Sequence, residues 1–390
     1  MIELPLIHFD CKHFMGDKPC FVNKQYRVFC DNCTFYEKDS NIIGAFPKIP
    51  NVESQEKKDK KKKIIIIKLD AVGDVLRTTS ILPSLKNKYP EVSVKWVTKQ
   101  KSFDILKDNR LIDEIRFDTD DQGKAAFDIA VNLDTGKESC VIMSKINAAE
   151  KYGYTLANGK PYPVNTYANE WYIMGIDDNS KKQNKKTYHQ IIHDICNLEY
   201  KNSKPSLEIT ENKRIKAALI RENLGLHNYG EFILVNLGGG GRWQYKKWTS
   251  EGYAELINKL SYEKPNTAVG AIAGKEDVEF YNEVLRMVDK RDNVFLMGYG
   301  NSTEDFICIV YLADKIFTSD SLAFHISAAL NKYAVVIVGP TSHTELDVFG
   351  KGNILYSSKV DCLACYLNKC DKTLNCMNTI KSDDVLKYLL

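Results

Sequence analysis

The chain predicts an α/β protein built from two parallel-sheet domains, and three observations carry that reading. From residue 64 onward, apolar strand-like runs alternate with helix-patterned segments, which implies parallel sheets covered on both faces. A break near residues 200–212 divides the alternation into two similar halves. The stretch from Ile64 to Leu85 packs a bare apolar strand, a tight turn holding Gly73 and a helix start into about twenty residues. Two such halves facing each other would leave a cleft between them, a common place for a ligand.

Before this pattern come two segments of different character. Residues 1–50 are aperiodic and hold Cys11, Cys20, Cys30 and Cys33; residues 51–63 read as a polar, Lys-rich linker. In the first half, residues 64–205, strands are expected at 64–69, 92–98, 114–117 and 128–133, with a short one at 151–154. Helices fall between them at 75–88, 102–107 and 138–147, and a further helix at 187–198 follows a polar interval. In the second half, residues 206–360, a helix at 212–223 leads to strands at 232–237, 267–273, 315–318 and 334–338. Helices at 249–260, 277–290, 303–313 and 322–330 connect them. Residues 361–390 add a second cysteine cluster and a closing helix.

The bulk composition narrows the function. With 390 residues, 44% hydrophobic and 27% charged, the chain is long enough for two domains with full cores. No run approaches the ~18 apolar residues of a membrane span, and Asp10, Cys11 and Lys12 interrupt any signal-peptide layout, so cytoplasmic residence is expected. Peripheral membrane contact stays open. Residues Lys57 to Lys63 carry a local +5 within a total of +3, which leaves −2 for the rest. That block reads as a solvated tether, and nothing elsewhere builds a basic stripe, so no nucleic-acid partner is expected.

Several strand-end loops carry candidate chemistry. Asp74 opens a helix directly after the first strand, where it would either cap free backbone N–H groups or present a carboxylate to a ligand. After the strand at 232–237 comes Gly238-Gly239-Gly240-Gly241, followed by Arg242 and Lys246. Side-chain-free residues let backbone N–H groups approach an anion, and the cations add charge, so a phosphate site is favoured over a bland surface loop. No Gly-Lys-Ser/Thr closes the turn and no spaced dinucleotide fingerprint is present. Asp320, Ser321, Leu322 and His325 lie at a later strand end, where Asp320 would serve either as a helix cap or a ligand contact. His325 would be a ligand contact or a core histidine. Gly339-Pro340-Thr341-Ser342 is a third loop at that edge. Asp118-Thr119-Asp120-Asp121 has the look of a metal motif but reads as a solvated turn in the first half.

Taken in order, Lys68-Leu69, Gly73-Asp74-Val75, Lys246-Lys247-Trp248, Asp320 to His325 and Gly339-Pro340-Thr341 resemble the heptosyltransferases of glycosyltransferase family 9. The resemblance covers residues 64 to about 380. It implies the B-type fold, two Rossmann-like domains facing across a cleft, and an ADP-heptose donor. It also implies inverting transfer to a glycan or protein hydroxyl in lipopolysaccharide-like surface glycan synthesis. By the same resemblance Asp74 is the general base and Lys246 contacts the donor diphosphate. Asp320, Ser321 and Leu322 stand where members often carry Asp-Thr-Gly, His325 matches the histidine after that turn, and Glu276 would hold the ribose. The chemistry agrees with these residue types. A sugar hydroxyl needs a carboxylate to take its proton, and a leaving diphosphate needs cations and N–H groups, so no catalytic cofactor is expected.

The cysteines form two sets, Cys11, Cys20, Cys30 and Cys33 near one end and Cys362, Cys365, Cys370 and Cys376 near the other. Each includes a Cys-x-x-Cys pair, which suits structural zinc or an iron or iron–sulfur site. Disulfides are disfavoured by the expected compartment. The resemblance adds that some autotransporter heptosyltransferases hold iron with the carboxyl set. The rival readings are a transferase for another nucleotide sugar, a nicotinamide oxidoreductase lacking its glycine fingerprint, and a zinc-ribbon nucleic-acid-binding protein on an α/β scaffold.

Overall fold

A run of four isoleucines, Ile64 to Ile67, is wholly buried and forms most of strand β1, Lys63–Ile67. β-branched residues lose little freedom in an extended chain, and burying each contributes roughly 1.5–3 kcal/mol. In the computed structural model, which describes residues 6–16, 18–42, 44–51, 61–120, 125–239, 244–367 and 370–390, this strand is central to the first of two sheets. The chain divides into two units, residues 1–203 and 204–390.

In the first unit β1 is followed by β2 (Ser93–Thr98), β3 (Glu114–Phe117), β4 (Phe127–Asn132), β5 (Ala148–Ala157) and β6 (Lys160–Pro163). Their order is β3-β2-β1-β4-β5-β6, parallel throughout except for the β5–β6 hairpin. Ile65, Ile67, Val97, Ala130 and Met143 form part of the core beneath it.

The second unit holds β7 (Glu231–Asn236), β8 (Thr267–Ile272), β9 (Val294–Gly298), β10 (Lys315–Ser319), β11 (Tyr333–Val338) and β12 (Gly352–Tyr356). Their order, β12-β11-β10-β7-β8-β9, is wholly parallel. Trp248, Tyr253 and Phe317 meet edge to face in its core, with centroids 5.4–5.7 Å apart. In both sheets the order reverses between the first and fourth strands, the switch-point geometry of doubly wound folds. The expected α/β class with two Rossmann-like domains is therefore observed.

Some elements differ from expectation. The single helix expected at 75–88 is two, Val72–Thr78 and Ile81–Lys88. Thr79 donates its hydroxyl to the Leu76 carbonyl and Ser80 bonds His189, so side chains compete for backbone at the break. Helices Thr166–Ile176 and Asp178–Gln183, strands β6, β9 and β12, and the long reach of β5 were not anticipated. Among the described residues no helix is long and apolar enough to cross a membrane.

Candidate active site

At the first switch point, Ala71 adopts an extended conformation (φ −60°, ψ 151°) and caps the helix Val72–Thr78. Asp74 is thus the third helical residue and not the cap, which corrects the capping alternative. Its carboxylate stands at the positive end of the helix, where negative charge is favoured. Asp74 is 29% exposed, and its Oδ1 lies 2.7 Å from Arg77 Nη2. The Arg77 guanidinium in turn lies 3.6 Å over the Tyr188 ring. The Tyr188 hydroxyl meets Thr78 Oγ1 at 2.8 Å, and Thr78 donates back to the Asp74 carbonyl. The Asp74 carboxylate is therefore clamped by Arg77, which Tyr188 holds in turn.

Just behind it, Lys68 at the end of β1 is fully buried. Its ammonium donates to the Leu133 carbonyl at 3.0 Å, to Asp70 at 3.1 Å and to Asp134, which also accepts the Leu69 N–H. Burial disfavours charge on Lys68, but attraction from Asp134, with Asp70 and Asp74 beyond it, overrides that penalty and raises its pKa. This pair ties the ends of β1 and β4 together. Sequence reasoning missed Asp134, although a carboxylate ending an apolar strand run was its available signal.

At the second switch point, the side chain of Asn236, last in β7, donates to the Gly238 carbonyl and to Thr318 and Ser321. This fixes the loops after β7 and β10 against one another. Lys246 Nζ donates to Asp320 Oδ2 at 2.7 Å, and Thr341 Oγ1 donates to the same oxygen at 2.9 Å. His325 is buried, with Nε2 3.9 Å from Asp320 Oδ1. Lys246, Asp320, Ser321, Thr341 and His325 are thereby brought together at one sheet edge. Ser321 is the helix cap residue there, so Asp320 is not; Leu322 is the first helical residue.

Close packing explains the glycines that are described. A Cβ on Gly238 would meet Asp277 Oδ2 at 2.8 Å, and one on Gly239 would meet Lys247 Cγ at 2.8 Å. Lys247 is itself held by buried Asp277 at 3.0 Å, and Trp248 anchors the segment by donating Nε1 to the Ile380 carbonyl. Gly240, Gly241 and Arg242 lie outside the described residues. Glu276 is exposed on the turn after β8. The turn read at Asp118 is present after β3, but Asp118 is largely covered, not solvated. Burial and a hydrogen bond shared with Glu138 hold it above the usual carboxylate range. Asp121 lies outside the described residues.

Both cysteine sets are drawn together. Burial raises the Cys30 thiol, a backbone hydrogen bond from His8 opposes the rise, and Cys20, Cys11 and Cys33 add to it. Burial pushes the Cys376 thiol up to about 11, with Cys365, Cys362 and Cys370 acting in the same direction. Cys376 Sγ packs against Gly339, while Ala364 and Tyr366, either side of Cys365, donate their N–H groups to the Gly339 and Pro340 carbonyls. No disulfide joins cysteines among the described residues. Nor does any group of three or more His, Cys, Asp or Glu among them stand as a ready-made metal site.

Known proteins match this architecture. The model of glycosyltransferase family 9 (heptosyltransferase) matches residues 122–375, well over half of the chain; Asp74 lies outside that range. Lipopolysaccharide heptosyltransferase 1 of Campylobacter coli is 22% identical over 345 residues, spanning 84% of this chain and 98% of its own. Among solved structures, a family 9 glycosyl transferase from Veillonella parvula aligns with a TM-score of 0.65 and 17% identity, over 84% of this chain and 95% of that one. The E. coli ADP-heptose lps heptosyltransferase II aligns with a TM-score of 0.58 and 17% identity, over 84% and 97%. With its paired Rossmann-like domains of the B type, the chain is a glycosyltransferase and belongs to family 9, the heptosyltransferases.

Proposed function

We propose that the protein transfers heptose from ADP-heptose, with inversion, to a sugar hydroxyl of a lipopolysaccharide-type glycan on the cytoplasmic side of the membrane. The observation that carries this reading is the convergence of Lys246, Thr341 and His325 on Asp320 at the β7/β10 switch point. A clamped carboxylate, Asp74, stands at the equivalent place in the first domain. Asp74 takes the acceptor hydroxyl proton as that oxygen bonds the anomeric carbon. The bond from that carbon to the diphosphate breaks, and ADP leaves with the electron pair. Lys246 neutralises the leaving diphosphate, with backbone N–H groups of the turn around Gly239, Gly240 and Gly241, and Arg242, contributing. Ser321, Leu322 and His325 complete the donor pocket, and Glu276 meets the ribose.

The donor is protein-neutralised in this account, so metal has no step in the reaction. Cys362, Cys365, Cys370 and Cys376 are read as ligands of a structural zinc or iron that stiffens the Gly339–Thr341 loop. The transfer reading is tested by thermal stabilisation with ADP-heptose, UDP-glucose and GDP-mannose at equal concentrations. ADP-heptose should stabilise alone, by about 2.7 kcal/mol at a hundredfold excess over its Kd. Selective stabilisation by a uridine or guanosine sugar would replace the donor, and no response to any would sink the reading.

A further inference from the structure

We propose that Cys11, Cys20, Cys30 and Cys33 bind a single zinc-class divalent cation as a tetrathiolate, and that this ion fastens residues 6–50 to the first domain. Four thiols from three separate places in the chain line one cleft, together with His8 and His13. Cys11 lies in an isolated bridge to Lys38, Cys20 caps the helix Phe21–Tyr26, and Cys30 and Cys33 flank a single 3-10 turn. The cleft has a volume of about 30 Å³ and opens to solvent, so a cation has room and a route in.

Two of the sulfurs carry backbone N–H contacts. The Asn23 N–H donates to Cys20 Sγ at 3.4 Å, and the His8 backbone bonds the Cys30 sulfur. A neutral thiol is a weak acceptor, whereas a thiolate accepts such N–H groups strongly, and outer contacts of this type orient metal ligands. Four sulfurs and a tetrahedral ion match zinc, with Zn–S distances of about 2.3 Å. Binding releases the thiol protons to solvent and consumes no oxidant or reductant. Lys18, also lining the cleft, offsets part of the negative charge that the site acquires. Because no three of these groups stand as a ready-made set, the cation must draw the sulfurs inward. Side chains on short turns can make that movement without disturbing a helix or sheet.

The mechanical consequence follows from how this segment is held. Phe9 packs on Tyr162 and Tyr172, while Asn23 and Lys24 reach Asp177 and Asp178. Lys160 also reaches Asp39 and the Cys11 carbonyl, and Phe46 stacks on Tyr162, so the segment is held at several places around the cysteine cleft. A short segment that leaves Leu6, Met15, Phe21, Tyr26, Phe35 and Tyr36 exposed gains further order from a cross-link, for which an ion serves as well as a disulfide.

The proposal is independent of the donor reading, since the experiment measures metal and not transfer. Elemental analysis is run on the full chain, on a variant with Cys362, Cys365, Cys370 and Cys376 replaced by Ser, and on Cys30→Ser/Cys33→Ser. The carboxyl variant should retain zinc and the Cys30/Cys33 variant should lose the equivalent amount. In the unsubstituted protein, peptide mass spectrometry after alkylation should find Cys11, Cys20, Cys30 and Cys33 protected together and released together by a chelator. Limited proteolysis should then cut within residues 6–50 first. Absence of zinc, iron with labile sulfide in its place, disulfides among the four, or labelling that ignores the chelator would each overturn the proposal.

Discussion

Arg77 Nη2 lies 2.7 Å from Asp74 Oδ1, one helical turn away, and its guanidinium is pressed to 3.6 Å over the Tyr188 ring. The stack fixes the guanidinium plane, and the fixed plane fixes the carboxylate. The Asp74 carboxylate is therefore held in one orientation and does not rotate freely.

Replacing Arg77 with Met should lower kcat by about tenfold while leaving the donor KM nearly unchanged, because orientation and not donor contact is lost. Arg77→Lys should rescue little, since an ammonium keeps the charge but lacks the planar fork and stack. Steady-state kinetics with both variants decides it, and a donor KM effect as large as the kcat effect would contradict the positioning role.

Lys246→Ala removes the cation that pairs with Asp320. Charge-assisted hydrogen bonds contribute ~1.5–3 kcal/mol, so donor affinity should fall roughly 10–100-fold. Titration calorimetry with the donor measures this directly. ADP itself should lose affinity too, since the proposed contact is to the diphosphate.

Thr341→Val tests a contact assigned no role by sequence reasoning. It removes the hydroxyl that donates to Asp320 Oδ2 and keeps the side-chain volume. A neutral donor bound to a carboxylate should cost about 1.5–3 kcal/mol if Asp320 positioning depends on it. The expected result is weaker donor binding, with a melting temperature lowered by no more than the loss of this one hydrogen bond.

The Lys68–Asp134 pair makes a prediction about stability instead. Lys68→Met leaves Asp134, 2% exposed, without its main partner, and burial, which already raises its carboxyl to about 8, then forces it to take up a proton or stand uncompensated. Breaking a buried pair costs ~3–5 kcal/mol, whereas replacing both partners with apolar residues is often close to neutral. Chemical denaturation of Lys68→Met, Asp134→Leu and the double variant should show the double variant to be more stable than Lys68→Met. Additive losses would mean that the two residues act separately.

The buried central strands were plain in the sequence because four-isoleucine β1, or β7 with Phe232 to Val235, reads as a fully apolar run. Of the edge strands only β3 was anticipated, at 114–117. β12 opens on Gly352 and Asn353 and β6 holds two prolines among four residues, while β9, an apolar run from Val294 to Met297, was passed over. The broken helix after Asp74 escaped because Thr79 and Ser80 fit a helical period while their hydroxyls bond elsewhere. At the sites, Asp74, Lys246 and Asp320 were legible from strand-end position. Arg77 was passed over although it lies one helical turn from Asp74; Tyr188 and, for Lys68, Asp134 were not singled out because those meetings depend on which elements pack together and not on spacing along the chain.

The central claim is that the Asp74 carboxylate takes the acceptor proton. The direct measurement pairs single-turnover transfer with donor titration for Asp74→Ala and Asp74→Asn. The account predicts a loss of about 10²–10⁴-fold in the transfer rate for both, with the donor Kd essentially unchanged. Turnover close to that of the unsubstituted protein, in either variant, would contradict it.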